Sequence, residues 1–80
     1  MGKSKLPIEN LIRRLRFDNN EMTQQELANA IGVSRQTIVA VEKGKYNPSL
    51  ELAFQIAGVF DKPIQEVFFL ASDSVSESKD

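Results

Sequence analysis

Gly32 and Ser34 stand two positions apart, and that short interval limits what the sequence around it can become. Ahead of it Leu27 and Ile31 recur at helical spacing, and beyond it Ile38 and Val41 do the same. Gly enters the left-handed conformation of a tight helix exit without steric penalty, and Ser is a strong N-cap. One helix must therefore end at Gly32 and another must start just past Ser34. Two short helices joined by a turn of about three residues cross steeply, and their facing positions must be apolar or small. Leu27, Ile31 and Val33 meet that demand on one side, Ile38 and Val41 on the other. Ala28 is small where the second helix passes close.

The remaining punctuation extends the pattern. Thr23-Gln24-Gln25-Glu26 is a capping box, so the first helix of the pair covers about residues 24–31. Its successor runs from about Arg35 to Lys43 and stops at Gly44. Upstream, Pro7 suits a first helical turn, and Ile8, Leu11, Ile12 and Leu15 form a helical stripe that Asp18-Asn19-Asn20 ends. Downstream, Tyr46-Asn47-Pro48 is a turn and Ser49 caps a fourth helix with Leu50, Ala53, Ile56, Ala57 and Phe60 as its buried stripe. Asp61-Lys62-Pro63 breaks that helix, and Ile64 to about Phe69 make a short fifth one. The expected fold is all-α: five helices in one domain over residues 6–70. Residues 71–80 are acidic and Ser-rich with Val75 as their one large apolar side chain, so a disordered tail is expected.

Composition excludes several functions. Eighty residues allow one domain with one modest core. Without Cys or His there is no disulfide, no thiol or imidazole catalysis and no soft metal site. No Cys- or His-based nucleophile–base pair is available, and no carboxylates are evidently paired in an apolar pocket, so neither an enzyme nor a cofactor is expected. No apolar run approaches the roughly 18 residues of a membrane span, and no signal-peptide core is present; the expected location is cytoplasmic, with no membrane partner and no evident small-molecule ligand. The net charge of −1 is unusual for a nucleic-acid binder. Its distribution matters more. Asp73, Glu77 and Asp80 outweigh Lys79 by two charges in the tail, which leaves residues 1–70 at +1. Within them Arg13, Arg14 and Arg16 cluster early, and Arg35, Lys43 and Lys45 cluster centrally, where a local field acts on phosphate.

Helical spacing leaves Arg35, Gln36, Thr37 and Ala40 on the outer side of the second helix of the pair. A helix about 10–12 Å across fits a major groove about 12 Å wide. Arg can pair bidentately with guanine and Gln with adenine, so these residue types on an exposed helix start suit base reading.

The segments Thr23-Gln24-Gln25-Glu26-Leu27-Ala28, Ile31-Gly32-Val33-Ser34-Arg35-Gln36-Thr37-Ile38 and Glu42-Lys43-Gly44-Lys45-Tyr46-Asn47-Pro48-Ser49-Leu50 resemble the Cro/CI-type (XRE) helix-turn-helix family of bacterial regulators. The likeness spans about Ile8 to Phe69. It implies a five-helix, lambda-repressor-like fold that binds double-stranded operator DNA. By position, it implies base contacts for Arg35 and Gln36, a base or phosphate contact for Thr37, and a methyl contact for Ala40. Gln24, Lys43, Lys45 and Asn47 match phosphate contacts. Glu42 matches an acidic position that pairs with a helix-1 arginine, here Arg16 or Arg13; Phe17 occupies a site that is basic in some relatives.

At the far end Val67 and Phe68 close the core with Ile64, while Phe69 and Leu70 are left over. Exposed large apolar groups mark interfaces. A homodimer through Ile64, Phe69 and Leu70 is therefore expected, binding a palindromic operator as a repressor. An antitoxin that also regulates its own promoter is the alternative class.

Overall fold

The computed structural model describes residues 8–71. The chain runs through β1 (Ile8–Asn10), α1 (Ile12–Asp18), α2 (Gln24–Ile31), α3 (Arg35–Glu42), α4 (Leu50–Val59), a 3-10 turn (Ile64–Glu66) and β2 (Phe68–Leu70). The hydroxyl residues that mark helix starts do cap them. Thr23 Oγ1 accepts from the Glu26 N–H at 2.9 Å, and the Glu26 carboxylate accepts from the Thr23 N–H at 2.9 Å. Ser34 Oγ accepts from the Thr37 N–H at 3.2 Å, and Ser49 Oγ from the Leu52 N–H at 3.1 Å. At the exit of α2, Gly32 has φ +79° and donates its N–H to the Ala28 carbonyl at 2.9 Å. The tight turn is thus built by local chemistry alone.

The turn brings α2 across α3, and Ile12, Leu27, Ala28, Ile38, Ile56 and Val67 become fully buried around that crossing. Val41 is 2% exposed, and Ile31 and Val33 are half-buried against the same cluster. Burying an Ile or Leu side chain contributes about 1.5–3 kcal/mol, so this cluster is a main source of the domain's stability.

Three expectations need correction. First, α1 begins at Ile12 rather than near Pro7, which lies outside the described residues. Ile8–Asn10 instead form a strand, because a partner segment distant in sequence supplies ladder hydrogen bonds that helical spacing alone does not reveal. Second, there is no fifth α-helix among the described residues. The chain makes one 3-10 turn after Pro63 and then extends as β2, whose aromatic residues suit a strand. Four α-helices and a two-stranded antiparallel sheet replace the five-helix expectation, with Ile8 opposite Leu70, Glu9 opposite Phe69 and Asn10 opposite Phe68. Third, Leu50 is 69% exposed at the start of α4, and Leu52 takes the buried place beside Ala53, Ile56 and Ala57. Phe60 is half-buried. The expected domain limit at residue 6 and the expected tail beyond Ala71 both lie outside the described residues. No helix among the described residues is long and apolar enough to cross a membrane.

Candidate nucleic-acid interface

Ile38 and Val41 anchor α3 in the core, which decides what its other side presents. Gln36, Ala40 and the capping Lys43 follow at i, i+4 and i+7 on the opposite ridge. Arg35 and Thr37 flank them. Arg35, Gln36 and Lys43 are exposed, and Thr37 and Ala40 are half-buried. Thr37 Oγ1 lies 3.0 Å from Ser34 Oγ, so that hydroxyl is held close to the helix start. Val39, which motif reading passed over, is half-buried on the same outer half of the helix. Past α3, Gly44 turns the chain with φ +77° and leaves Lys45, Tyr46 and Asn47 exposed. The helix-start cluster and the basic loop thus lie at the two ends of one short helix.

Behind this surface is a rigid polar joint. Arg16 Nε donates to Glu42 Oε2 at 2.6 Å, and its Nη2 donates to Oε1 at 3.1 Å. Its Nη1 donates to the Met22 carbonyl at 2.9 Å. Gln24 Nε2 donates to the same Glu42 Oε1 at 3.1 Å. Of the two candidate partners for Glu42, Arg16 is the one engaged, and Arg13 and Phe17 are exposed. Gln24 therefore stands at the first position of α2 with one amide hydrogen committed to α3. Arg14 pairs with Asp18 at 3.5 Å on the surface, where solvent screens the interaction.

The expected dimer residues are arranged differently from a helix end, and Phe69 and Leu70, expected to be exposed, are half-buried because they pair in the sheet. Strand alternation puts Phe69 on the same sheet face as Glu9, and Leu70 on the other face with Ile8, Asn10 and Phe68. Ile64 and Phe68 pack against the core. Phe69 lines a shallow groove with Leu11, and Arg14, Lys62, Asp18 and Glu66 surround it. Asn10 was missed by sequence reading. Its role rests on a contact with α3, 31 positions away, that no local pattern announces.

Known proteins resemble this chain in sequence and in fold. The helix-turn-helix family model HTH_3 matches residues 12–67. A protein of Archaeoglobus fulgidus named as an HTH-type transcriptional regulator is 52% identical over 58 residues, 72% of this chain and 82% of that protein. The cryptic phage CTXphi transcriptional repressor RstR of Vibrio cholerae is 43% identical over 63 residues, 79% of this chain and 53% of RstR. A crystal structure of a Bacteroides fragilis protein assigned to DNA binding shares the fold, with TM-score 0.67 and 22% identity over 78% of this chain and 98% of that one. The resemblance carried by the motif residues holds: the chain belongs to the HTH_3 (XRE-type) helix-turn-helix family.

Proposed function

We propose that this protein is a sequence-specific DNA-binding transcriptional regulator that places α3 in the major groove. The observation that carries the reading is the exposed Arg35 and Gln36 pair on a helix whose opposite face is locked by Ile38 and Val41. Arg35 and Gln36 read bases, Thr37 contacts a base or a phosphate, and the Ala40 methyl meets an apolar group such as thymine's. Gln24, Lys43, Lys45 and Asn47 hold the backbone of the duplex and set register. Two copies meet through Phe69 and the groove it lines with Leu11, with Ile64 on the core and Leu70 on the opposite sheet face backing that surface, so that two reading helices address a palindrome with half-sites about 34 Å apart. Repression follows by occupancy of a promoter; the relatedness to a named phage repressor favours that sign.

Selection of bound duplexes from a random library tests the reading. Enrichment of one inverted-repeat sequence with half-sites about one helical turn apart is expected. Recovery of unenriched sequence, with affinity set by salt alone, overturns it.

A further inference from the structure

The side-chain amide of Asn10 serves two helices at once. Its Oδ1 accepts the N–H of Ile12 at 3.1 Å, filling the capping role for α1 that Leu11 has no side-chain oxygen to perform. Its Nδ2 donates to the Val41 carbonyl at 3.1 Å and lies 3.5 Å from the Glu42 carbonyl. These are carbonyls of the last turn of α3, beyond the regular i+4 ladder; that of Val41 also accepts from the Gly44 N–H at 3.1 Å, and Asn10 adds a side-chain donor from another element. Asn10 itself is half-buried at the end of β1, opposite Phe68. The last turn of α3 is thus fastened twice: through its backbone by β1, and through the Glu42 side chain by Arg16 and Gln24.

α3 is held along its inner face by Ile38 and Val41 and at its last turn by Asn10, so loss of the Asn10 hold lets the helix tilt about the contacts that remain. Arg35 lies six residues before Val41, about 9 Å along the axis, so a tilt of about 6° moves it by about 1 Å. A hydrogen bond tolerates donor–acceptor distances only between about 2.7 and 3.2 Å, so such a shift breaks a bidentate base contact while long, mobile side chains still find phosphate.

We infer that Asn10 is a positioning residue for sequence specificity: it touches no base, and its amide sets the aim of α3 against the β1–β2 sheet. The inference rests on the DNA-reading role proposed above. It makes the alignment of the sheet and that of the reading helix depend on one side chain.

Two substitutions separate its two jobs. Asn10→Asp keeps the oxygen that accepts from Ile12 and turns the donor into a carboxylate oxygen facing two carbonyls. Asn10→Ser keeps an oxygen able to cap α1 and removes the donor without adding charge, so it serves if the Asp variant fails to fold. Circular dichroism and thermal unfolding verify the fold. Residual dipolar couplings of the α3 amides then report helix orientation, and Kd is measured for the selected duplex and for a scrambled duplex at one salt concentration. The expected result is a reoriented α3, about tenfold or greater loss on the selected duplex, and change within about twofold on the scrambled one. An unchanged α3 orientation, an unchanged ratio of the two Kd values, or parallel loss on both duplexes overturns the inference. A wild-type protein that does not distinguish the two duplexes overturns the DNA-reading role itself, while the dipolar couplings still judge the clamp.

Discussion

Arg16 and Glu42, 26 positions apart in sequence, meet as a two-pronged ion pair with side chains only 14% and 9% exposed. The pair joins α1 to the last residue of α3, and Gln24 and the Met22 carbonyl complete its hydrogen bonding. A buried pair is costly to break because the survivor is left charged and unpaired, although replacing both partners together is often neutral. Glu42→Ala is therefore expected to destabilise the fold by about 2–3 kcal/mol, a little below the range for fully buried pairs. Arg16→Met alone should cost a similar amount, and Arg16→Met with Glu42→Leu should recover most of the loss. A double-mutant cycle by urea unfolding reads the coupling; strictly additive losses would show that the pair does not act as a unit.

Gly32 tests the turn. An added Cβ meets nothing within 4 Å there, so any penalty comes from φ +79° and not from a clash. A left-handed L-residue costs about 1–2 kcal/mol, partly offset because Gly loses more freedom on folding. Gly32→Ala should lower stability by about 1 kcal/mol, Gly32→Val by more, and Gly32→Asn by least, since Asn tolerates this region. Thermal unfolding of the three variants gives the order. A Val variant as stable as wild type would remove the backbone from the explanation of this turn.

What could be read from sequence divides by the distance over which each decision is made. The caps at Thr23, Ser34 and Ser49 are settled within three residues, and the exit at Gly32 within four, so all were legible. Exposure of Arg35 and Gln36 followed from helical spacing once Ile38 and Val41 were placed inside. The sheet was not legible. Its strands are three residues each, and Ile8 pairs with Leu70 from the opposite end of the domain, far beyond the reach of any local pattern. Ile8, Leu11, Ile12 and Leu15 fit a helical period equally well, so local pattern favoured the wrong element. Leu50 misled for a related reason: its position in the first turn of α4 places it outside the stripe that Leu52 and Ile56 complete.

Base reading and backbone holding are separable by salt. Arg35→Ala should weaken the selected site by about 1–3 kcal/mol and relax selection at one base pair per half-site. Lys43→Ala should weaken all duplexes alike and lower the slope of log K against log salt by about 1 per protomer. Titrations at several salt concentrations on selected and scrambled duplexes distinguish these. If Arg35→Ala changes the salt slope without changing selectivity, Arg35 contacts phosphate rather than a base.

Assembly is tested at Phe69, which β-pairing places opposite Glu9 and beside the groove it shares with Leu11. Arg14, Lys62, Asp18 and Glu66 around that groove carry both signs of charge, so a two-fold axis through it can set opposite charges against each other. Burying the aromatic surface contributes about 25 cal/mol per Å². Phe69→Lys removes that contribution and would place an ammonium in the interface. In the monomer the same ammonium faces Glu9 across the strands, an arrangement worth about 0.2–1 kcal/mol, so the fold has reason to survive. The variant should therefore be a folded monomer by sedimentation and circular dichroism, retaining weak half-site binding and losing most of its affinity for the full palindrome. If it still sediments as a dimer, Phe69 is not in the interface. If the wild type is itself monomeric at high concentration off DNA, pairing must be assisted by the operator, and the defect should then appear only in the cooperativity of binding two half-sites.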